Sequence, residues 1–452
     1  MNTSVQPRVR EAFKRELSDW RRWASRAVVL AAAAAAGWVV VAFTWLSEQA
    51  MHGFGRLLQA SGGWGALLWT PLLTVAIVWA TRRFAPGAAG SGIPQVMAAL
   101  EPVVEASQRR LYVSLRLTLA KIGLTSAGLL AGLSLGREGP SVQIAAGIMH
   151  HARRWLPANS GVSPHGLLMA GGAAGIAAAF NTPLGGVMFA IEELSRRPEQ
   201  RSSGLLLAAI VLAGLMSVSV HGNVSYFGVI RVESLTPSLA LPGLMVALAA
   251  GALGGLFARL LLMSLTPGGP DRFSRLRQAH PLRFAAGCGL AVAVIGLASG
   301  GATWGSGYEA TRALLEGGGD RAPFYTGLKF VATWLTTWAG VPAGIFAPSL
   351  AIGAGLGKDV ADLFGLAQSP TLIALGMAGF LAAVTQAPLT AFIIVMEMVD
   401  GHALVLSLMA SALVSSAVSR LISAPLYASL AQLQLQRLPS APASPSGASR
   451  AY

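Results

Sequence analysis

Charged side chains are scarce in this chain of 452 residues, where Asp, Glu, Lys and Arg make up 12% of the sequence against 54% hydrophobic residues. Soluble globular domains carry about 25% charged residues, so this composition argues against a water-exposed surface of the usual kind. Long stretches contain no charged residue at all, for example 27–47, 57–81, 155–191, 284–308 and 363–396. Because about 20 apolar residues cross the hydrocarbon core of a bilayer, the chain is predicted to be a polytopic membrane protein.

Cysteine is almost absent, and histidines are few and scattered. The single cysteine, Cys288, excludes an intrachain disulfide and a cysteine metal cluster. The seven histidines show no spacing typical of metal ligands. We therefore expect no metal and no cofactor.

The net charge of +14 could suggest a nucleic-acid partner, but the basic residues flank apolar stretches instead of forming one patch. Arg21, Arg22 and Arg26 precede the first stretch, and arginine pairs occupy several short connections. This distribution is typical of positive-inside anchoring, so no nucleic-acid partner is expected and the N-terminus is predicted to be cytoplasmic.

The chain divides into three parts by composition. Residues 1–26 are predicted to form an amphipathic cytoplasmic lead-in, residues 27–437 a membrane domain, and residues 438–452 a disordered cytoplasmic tail rich in Pro, Ser and Ala. Neither end leaves room for a regulatory soluble domain, so we expect the function to lie in the membrane part.

The membrane domain contains an internal repeat. GREGPSV at 136–142 aligns with GIFAPSL at 344–350, and FNTPLGGVMFAIEE at 180–193 aligns with TQAPLTAFIIVMEM at 385–398. The offsets are 208 and 205 residues, which indicates two halves at about 27–222 and 237–437. Duplicated halves with apolar segments broken by Gly and Pro are typical of transporters that bind their substrate near the bilayer midplane.

Three of these breaks have the same form, with a glycine four residues before a proline and an apolar run after it: 90–96 (GSGIPQV), 136–143 (GREGPSVQ) and 344–350 (GIFAPSL). Proline is tolerated in the first turn of a helix, and glycine lets the backbone approach a ligand closely. A helix that starts inside the membrane presents free N–H groups and a partial positive charge to an anion. Each motif alone is compatible with an ordinary kink, but the three together predict an anion site.

These motifs, in this order, resemble the signature segments of the CLC family of chloride channels and chloride/proton antiporters, and APLY at 424–427 extends the resemblance. The resemblance implies an all-α membrane fold of two inverted halves with broken, tilted helices. It also implies a multi-pass protein of the bacterial inner membrane with both termini cytoplasmic, assembled as a homodimer. We expect the runs 205–220 and 405–422 to form the interface.

The resemblance also implies the roles of individual residues. Ser91 and Tyr427 would offer hydroxyl groups to a central anion from the cytoplasmic side, and the backbone N–H groups of Ile345 and Phe346 would complete that site. Backbone N–H groups around Arg137, Glu138 and Gly139 would form an outer site. Serine at position 91 indicates chloride as the substrate, and Gln95, where relatives often have Glu, is not implied to bind the ion.

Two acidic residues are implied to couple protons to the anion. Glu138 is the gating glutamate, whose carboxylate occupies an anion position until protonation releases it; a buried acid in a membrane is costly and is functional by default. Glu193 is the internal proton acceptor, a position that is generally not acidic in passive channels. Its neighbour Glu192 is also compatible with a charged helix end at the membrane interface, and Glu397 with a structural buried acid.

The leading hypothesis is therefore a chloride/proton antiporter and not an enzyme. A passive chloride channel is the alternative in mechanism. A remote alternative is an intramembrane hydrolase that uses Ser306 in the Gly305–Ser306–Gly307 turn, which would require a histidine facing that serine. Lys121, alone in an apolar stretch, either sets a positive field or extends to the membrane surface.

Overall fold

The structure is a computed structural model that describes residues 20–157, 160–195, 203–222, 225–228, 237–269, 271–317, 322, 324–366 and 370–436. Most of the predicted lead-in and the whole predicted tail lie outside these residues. The described residues form α-helices joined by short turns, and the one β-bridge among them is isolated. The helices are α1 (Trp20–Ser61), α2 (Ala66–Phe84), α3 (Ile93–Leu100), α4 (Leu115–Leu130), α5 (Glu138–Ala152), α6 (Pro164–Phe180), α7 (Pro183–Phe189), α8 (Ser203–His221), α9 (Ala240–Leu265), α10 (Arg272–Ala279), α11 (Pro281–Ala298), α12 (Tyr308–Leu315), α13 (Tyr325–Ala339), α14 (Phe346–Leu363), α15 (Pro370–Thr385), α16 (Pro388–Met398), α17 (Val405–Arg420) and α18 (Leu426–Leu435).

Long apolar helices form the outside of the molecule. Five segments are long and apolar enough to cross a bilayer, among them α1, α9 and α11. Large apolar side chains on their outer faces are exposed, including Trp45 and, on α2, Leu68 and Trp79. Such faces suit a lipid environment, as the composition predicts. The predicted boundary at residue 26 lies within α1, which continues through it without a break.

The order of the helices repeats, as the sequence predicts. Helices α3 to α8 are followed by α12 to α17 with similar lengths and similar connections. Gly136 and Gly344, which are equivalent positions of the two halves, pair in an antiparallel β-bridge. The chain segments at these two equivalent positions therefore run in opposite directions, which agrees with an inverted repeat.

Short helices fill the interior. In α15 every residue from Thr371 to Thr385 is buried, and α5 and α14 are buried over most of their length. A helix that is apolar all round belongs in a core. Gly353 and Gly376 let α14 and α15 approach closely, because a Cβ atom on either would overlap the backbone of the other. Small residues at such contacts are typical of helix packing in membranes.

The turn that leads into α7 has a counterpart before α16. Asn181 and Gln386 both adopt the left-handed conformation, with φ of 57° and 59°. Pro183 and Pro388 then occupy the first turn of α7 and α16, where a missing N–H is tolerated. These two non-glycine residues with positive φ lie 205 residues apart, the offset of the sequence repeat.

Candidate anion site

The three segments predicted from the Gly/Pro pattern meet in the interior. Gly136 and Gly344 exchange backbone hydrogen bonds of 2.7 and 3.1 Å. Gly90 donates its N–H to the carbonyl of Val341 and accepts from the N–H of Ala343, both at 3.1 Å. The starts of α3, α5 and α14 are therefore held together by the backbone, and their free N–H groups converge on one region.

Glu138 begins α5 in this region, and its side chain is fully buried. One carboxylate oxygen accepts the N–H of Ala347, in the first turn of α14, at 3.4 Å. The other carboxylate oxygen has no hydrogen-bond partner among the described residues. The carboxylate thus lies between the starts of α5 and α14 and faces a backbone amide of α14, a position where an anion is stabilised.

Two hydroxyl groups lie on another side of the same helix starts. Ser91 is 8% exposed and Tyr427 fully buried, and neither hydroxyl has a hydrogen-bond partner within the described part of the chain. Both residues and Ile345 line a cavity of about 100 Å³. Gly139 lies against the Ser91 hydroxyl, since a Cβ atom there would overlap it. Buried hydroxyls normally have partners, so two without one are suited to a ligand.

Phe346 links this cavity to the rest of the core through ring contacts. Its ring stacks on Tyr427 with centroids 6.1 Å apart and planes at 11°. Phe180 and Phe189 contact it at 6.1 and 6.3 Å. The structure therefore brings together the predicted residues Ser91, Glu138, Gly139, Ile345, Phe346 and Tyr427.

Arg137 contributes its backbone to this region, but its guanidinium points away from it. The side chain donates to Glu48 at 3.0 Å, to the carbonyl of Thr44 at 3.4 Å and to the hydroxyl of Tyr226 at 3.2 Å. No sequence signal joins these residues, because they lie about 90 positions from Arg137 in either direction. The positive charge next to Glu138 is thus neutralised by a carboxylate of α1.

Two buried lysines hold equivalent loops in the two halves. Lys121 donates to the carbonyls one and three residues before Ser91, at 2.6 and 2.8 Å. Lys329 donates to the carbonyls one and three residues before Ser306, at 2.8 and 3.0 Å. Lys121 is fully buried and does not extend to the surface. The role of Lys329 was not predicted, although the second Gly-Ser-Gly triplet at 305–307 and the 208-residue separation of the lysines were signals for it.

The predicted proton acceptor lies in a different part of the molecule. Glu193 belongs to a π-helical turn, Ala190–Leu194, that follows α7. It lines two cavities of about 670 and 280 Å³, the larger with Gln386 and Arg420 and the smaller with Glu101 and His165. Single π turns within helices occur frequently at functional sites.

The surroundings of Ser306 do not match those of a hydrolase nucleophile, which needs a histidine hydrogen-bonded to the serine. Its hydroxyl oxygen accepts the N–H of Tyr308 at 3.3 Å. Across the described residues no hydrogen bond joins it to a histidine, although His52 lines the same cavity of about 530 Å³. Ser306 corresponds instead to Ser91 in the other half, by the lysine contacts described above.

Comparison with known proteins supports the assignment that the geometry suggests. The sequence model of the family described as voltage gated chloride channel matches residues 72–420, which include all three Gly/Pro segments. The chain belongs to the CLC family. Tyr427 lies just beyond the matched region, and its place beside Ser91 rests on the structure.

Curated CLC relatives cover most of the chain. The H(+)/Cl(-) exchange transporter ClcA of Klebsiella pneumoniae is 31% identical over 437 residues, covering 89% of this chain and 87% of the relative. ClcA of Cronobacter sakazakii is 32% identical over 397 residues, covering 81% and 79%. These relatives are transporters and not enzymes.

Solved CLC structures share the fold. A slow cyanobacterial Cl⁻/H⁺ antiporter has a TM-score of 0.76 and 26% identity, covering 91% of this chain and 98% of its own. A CLC-type fluoride/proton antiporter has a TM-score of 0.73 and 23% identity, covering 89% and 96%. The second likeness concerns the fold alone.

Proposed function

We propose that this chain exchanges chloride for protons across a bacterial inner membrane. The relatives named H(+)/Cl(-) exchange transporters cover most of its length, and a Cl⁻/H⁺ antiporter shares its fold. The observation that carries the proposal is the buried carboxylate of Glu138 against the amide of Ala347. A group with the charge of chloride lies where helix starts from both halves converge.

In the proposed mechanism Glu138 is the gate. Its carboxylate competes with chloride for backbone N–H groups at the starts of α5 and α14. Protonation removes the charge that holds the carboxylate there, so the neutral side chain leaves and chloride takes its place. Because burial and a nearby anion both favour the neutral form of an acid, arrival of chloride and uptake of a proton assist each other.

The chloride path continues on the cytoplasmic side past Ser91 and Tyr427. Their free hydroxyls would donate to the ion, together with the N–H groups of Ile345 and Phe346. Neutral donors hold a dehydrated anion without the tight binding that a full positive charge would give, so the ion can leave again. Ser91 makes chloride the preferred substrate in this proposal.

Glu193 takes protons from the cytoplasm in the proposed mechanism. It lines cavities that are separate from the one between Ser91 and Tyr427. Separate approaches let the two ions reach Glu138 without competing for one passage. An acid at this position favours the antiporter over the passive channel.

Reconstitution into liposomes tests the proposal. Vesicles loaded with chloride and diluted into low chloride should take up protons as chloride leaves, and the external solution should become alkaline. A protonophore should abolish the pH change. Chloride efflux with no movement of protons would identify a passive channel instead.

The proposed assembly is a homodimer with both termini in the cytoplasm. Helices α8 and α17 expose apolar side chains, among them Leu207, Leu215, Leu406 and Leu413. They flank α7 and α16, which pack against each other. A broad apolar face of this kind suits a helix-on-helix interface within the membrane. The arginines at the start of α1 support the cytoplasmic N-terminus.

A further inference from the structure

Two glutamates form a reciprocal pair of helix caps where α7 and α16 cross. The two carboxylate oxygens of Glu192 accept the first two N–H groups after Pro388, at 3.1 and 2.6 Å. The two oxygens of Glu397 accept the first two N–H groups after Pro183, at 3.1 and 2.7 Å. Each half of the molecule thus supplies the carboxylate that caps a helix of the other half.

The caps satisfy a specific need of these helices. Both helices begin at a proline two residues after a residue with positive φ. The amides of their first turns have no acceptor within the helix, as at any helix start. A carboxylate can accept at both oxygens, whereas a protonated acid or an amide presents one acceptor and one donor toward the same two N–H groups. The arrangement therefore requires Glu192 and Glu397 as carboxylates.

The two caps differ in what lies beside them. Glu192 precedes Glu193 within the π-helical turn, which closes with a bond from the N–H of Ser195 to the carbonyl of Ala190 at 2.8 Å. The Glu192 carboxylate binds α16 and also lines the cavity of about 670 Å³, whereas Glu193 lines both that cavity and the one of about 280 Å³. Glu397 lies between Met396 and Met398, so no second acid adjoins it in the chain, and the titratable side chain that interacts with it is His402.

We propose that Glu192 is a positioning residue for proton transfer. Its cap on α16 fixes the π-helical turn against the second half and thereby directs the carboxylate of Glu193 into its cavities. Glu397 makes the same bonds at the equivalent position of the other half, but it positions no proton-transfer group. The inference deepens the proposed function and rests on it.

The test compares substitutions at the two caps in the full-length protein. Glu192→Gln and Glu397→Gln each remove one acceptor, and Glu192→Asp and Glu397→Asp keep the charge but withdraw the carboxylate by one methylene. Melting temperature in detergent, chloride efflux and proton uptake are measured on the same preparations. We expect similar losses of melting temperature at the two positions. The ratio of proton uptake to chloride efflux should fall for both Glu192 variants and stay at the wild-type value for both Glu397 variants.

Several results would overturn the inference. An unchanged ratio of proton uptake to chloride efflux in both Glu192 variants contradicts the inference. An equal fall of this ratio in the Glu397 variants also contradicts it, because it would show that loss of either cap loosens the packing between the halves. A fall in Glu192→Gln with a normal ratio in Glu192→Asp would mean that charge acts and position does not. The aspartate variant also provides the readout if Glu192→Gln does not fold. Failure of the proposed function is recognised separately, because the wild-type protein would then move no protons.

Discussion

At the scale of single residues, the site depends on polar groups that the fold leaves without protein partners. The hydroxyls of Ser91 and Tyr427 and one oxygen of Glu138 are buried without hydrogen bonds among the described residues. An unpaired buried polar group costs about 1–3 kcal/mol, and an anion or a proton bound here would remove that cost. Their convergence at the starts of α5 and α14 marks the place where substitutions should change transport.

Replacing Glu138 with Gln is expected to uncouple the two ions. The amide cannot carry a proton and lacks the charge that competes with chloride. Chloride efflux from liposomes should continue at a rate that no longer depends on pH, while proton uptake falls to background. A structure of the variant should contain an anion where the carboxylate lay. Proton uptake that persists in Glu138→Gln contradicts the proposed mechanism.

Replacing Ser91 with Pro is expected to change selectivity without unfolding the protein. The substitution removes a hydroxyl donor, and a hydrogen bond to a charged group contributes about 1.5 kcal/mol or more, roughly tenfold in affinity. Chloride concentrates its charge on one atom, so we expect it to lose more by this change than nitrate does, and chloride flux should fall relative to nitrate flux in the same vesicles. Equal ratios before and after the change would exclude Ser91 from the selectivity site.

Replacing Glu193 with Gln is expected to stop proton movement and to leave chloride movement. The amide keeps the size and polarity of the side chain but cannot be protonated at neutral pH. Paired measurements of chloride efflux and proton uptake check this outcome. Wild-type proton uptake in the variant would reduce Glu193 to an interfacial charge and weaken the antiporter proposal.

At the scale of helices, the important feature is how each broken helix is held at its start. Backbone pairing joins Gly136 to Gly344, and buried lysines hold the loops before α3 and α12. A helix start in the interior needs such support, because no water is present to satisfy the surrounding backbone groups. The same supports occur in both halves, so they belong to the repeat and not to one site.

Replacing Lys329 with Met should destabilise the loop before α12. The substitution leaves two carbonyls unsatisfied, and at about 1.5 kcal/mol for each charge-assisted bond the loss is about 3 kcal/mol. Lys358→Met is the matched control, because Lys358 forms a partly exposed i,i+4 pair with Asp362, and i,i+4 pairs on helices contribute about 0.3–0.5 kcal/mol. Melting temperatures in detergent compare the two. A Lys329 variant as stable as the control would show that other groups satisfy these carbonyls.

At the scale of the whole molecule, the two halves enclose the site and expose apolar side chains around the outside. Long helices with exposed apolar side chains surround the buried α5, α14 and α15. The reciprocal caps of Glu192 and Glu397 join the halves at the face formed by α7, α8, α16 and α17. Half-buried carboxylates are poorly suited to lipid contact. We propose that a second subunit, and not lipid, covers that face.

A charged side chain introduced on the face formed by α7, α8, α16 and α17 should separate the proposed dimer into monomers. Leu406 is 73% exposed near the start of α17, and Leu68 is 68% exposed near the start of α2. Leu406→Lys should lower the mass measured by light scattering in detergent from that of a dimer to that of a monomer. Leu68→Lys, which has similar exposure outside the proposed interface, should leave the mass unchanged. A dimer in both variants would place the interface elsewhere.

Much of this protein follows from local features of its sequence. Scarce charge and long apolar stretches predict a membrane protein, and the repeated motifs predict two halves with a common order of helices. Gly-x-x-x-Pro predicts helices that start in the interior, and the apolar runs around Glu138 predict its burial. These properties depend on neighbouring residues, because hydropathy and backbone preference act over one or two helical turns.

Only the tertiary structure decided which of these local elements meet. The hydrogen bond from the N–H of Leu389 in α16 to Glu192 spans 197 residues, and the pairing of Gly136 with Gly344 spans 208. The outward direction of the Arg137 side chain and the role of Lys329 likewise depend on partners in other helices. Such contacts are set by how two inverted halves pack, and a carboxylate or ammonium in the sequence does not indicate which distant backbone groups lack a partner. Those groups are defined only when the helix ends have been brought together.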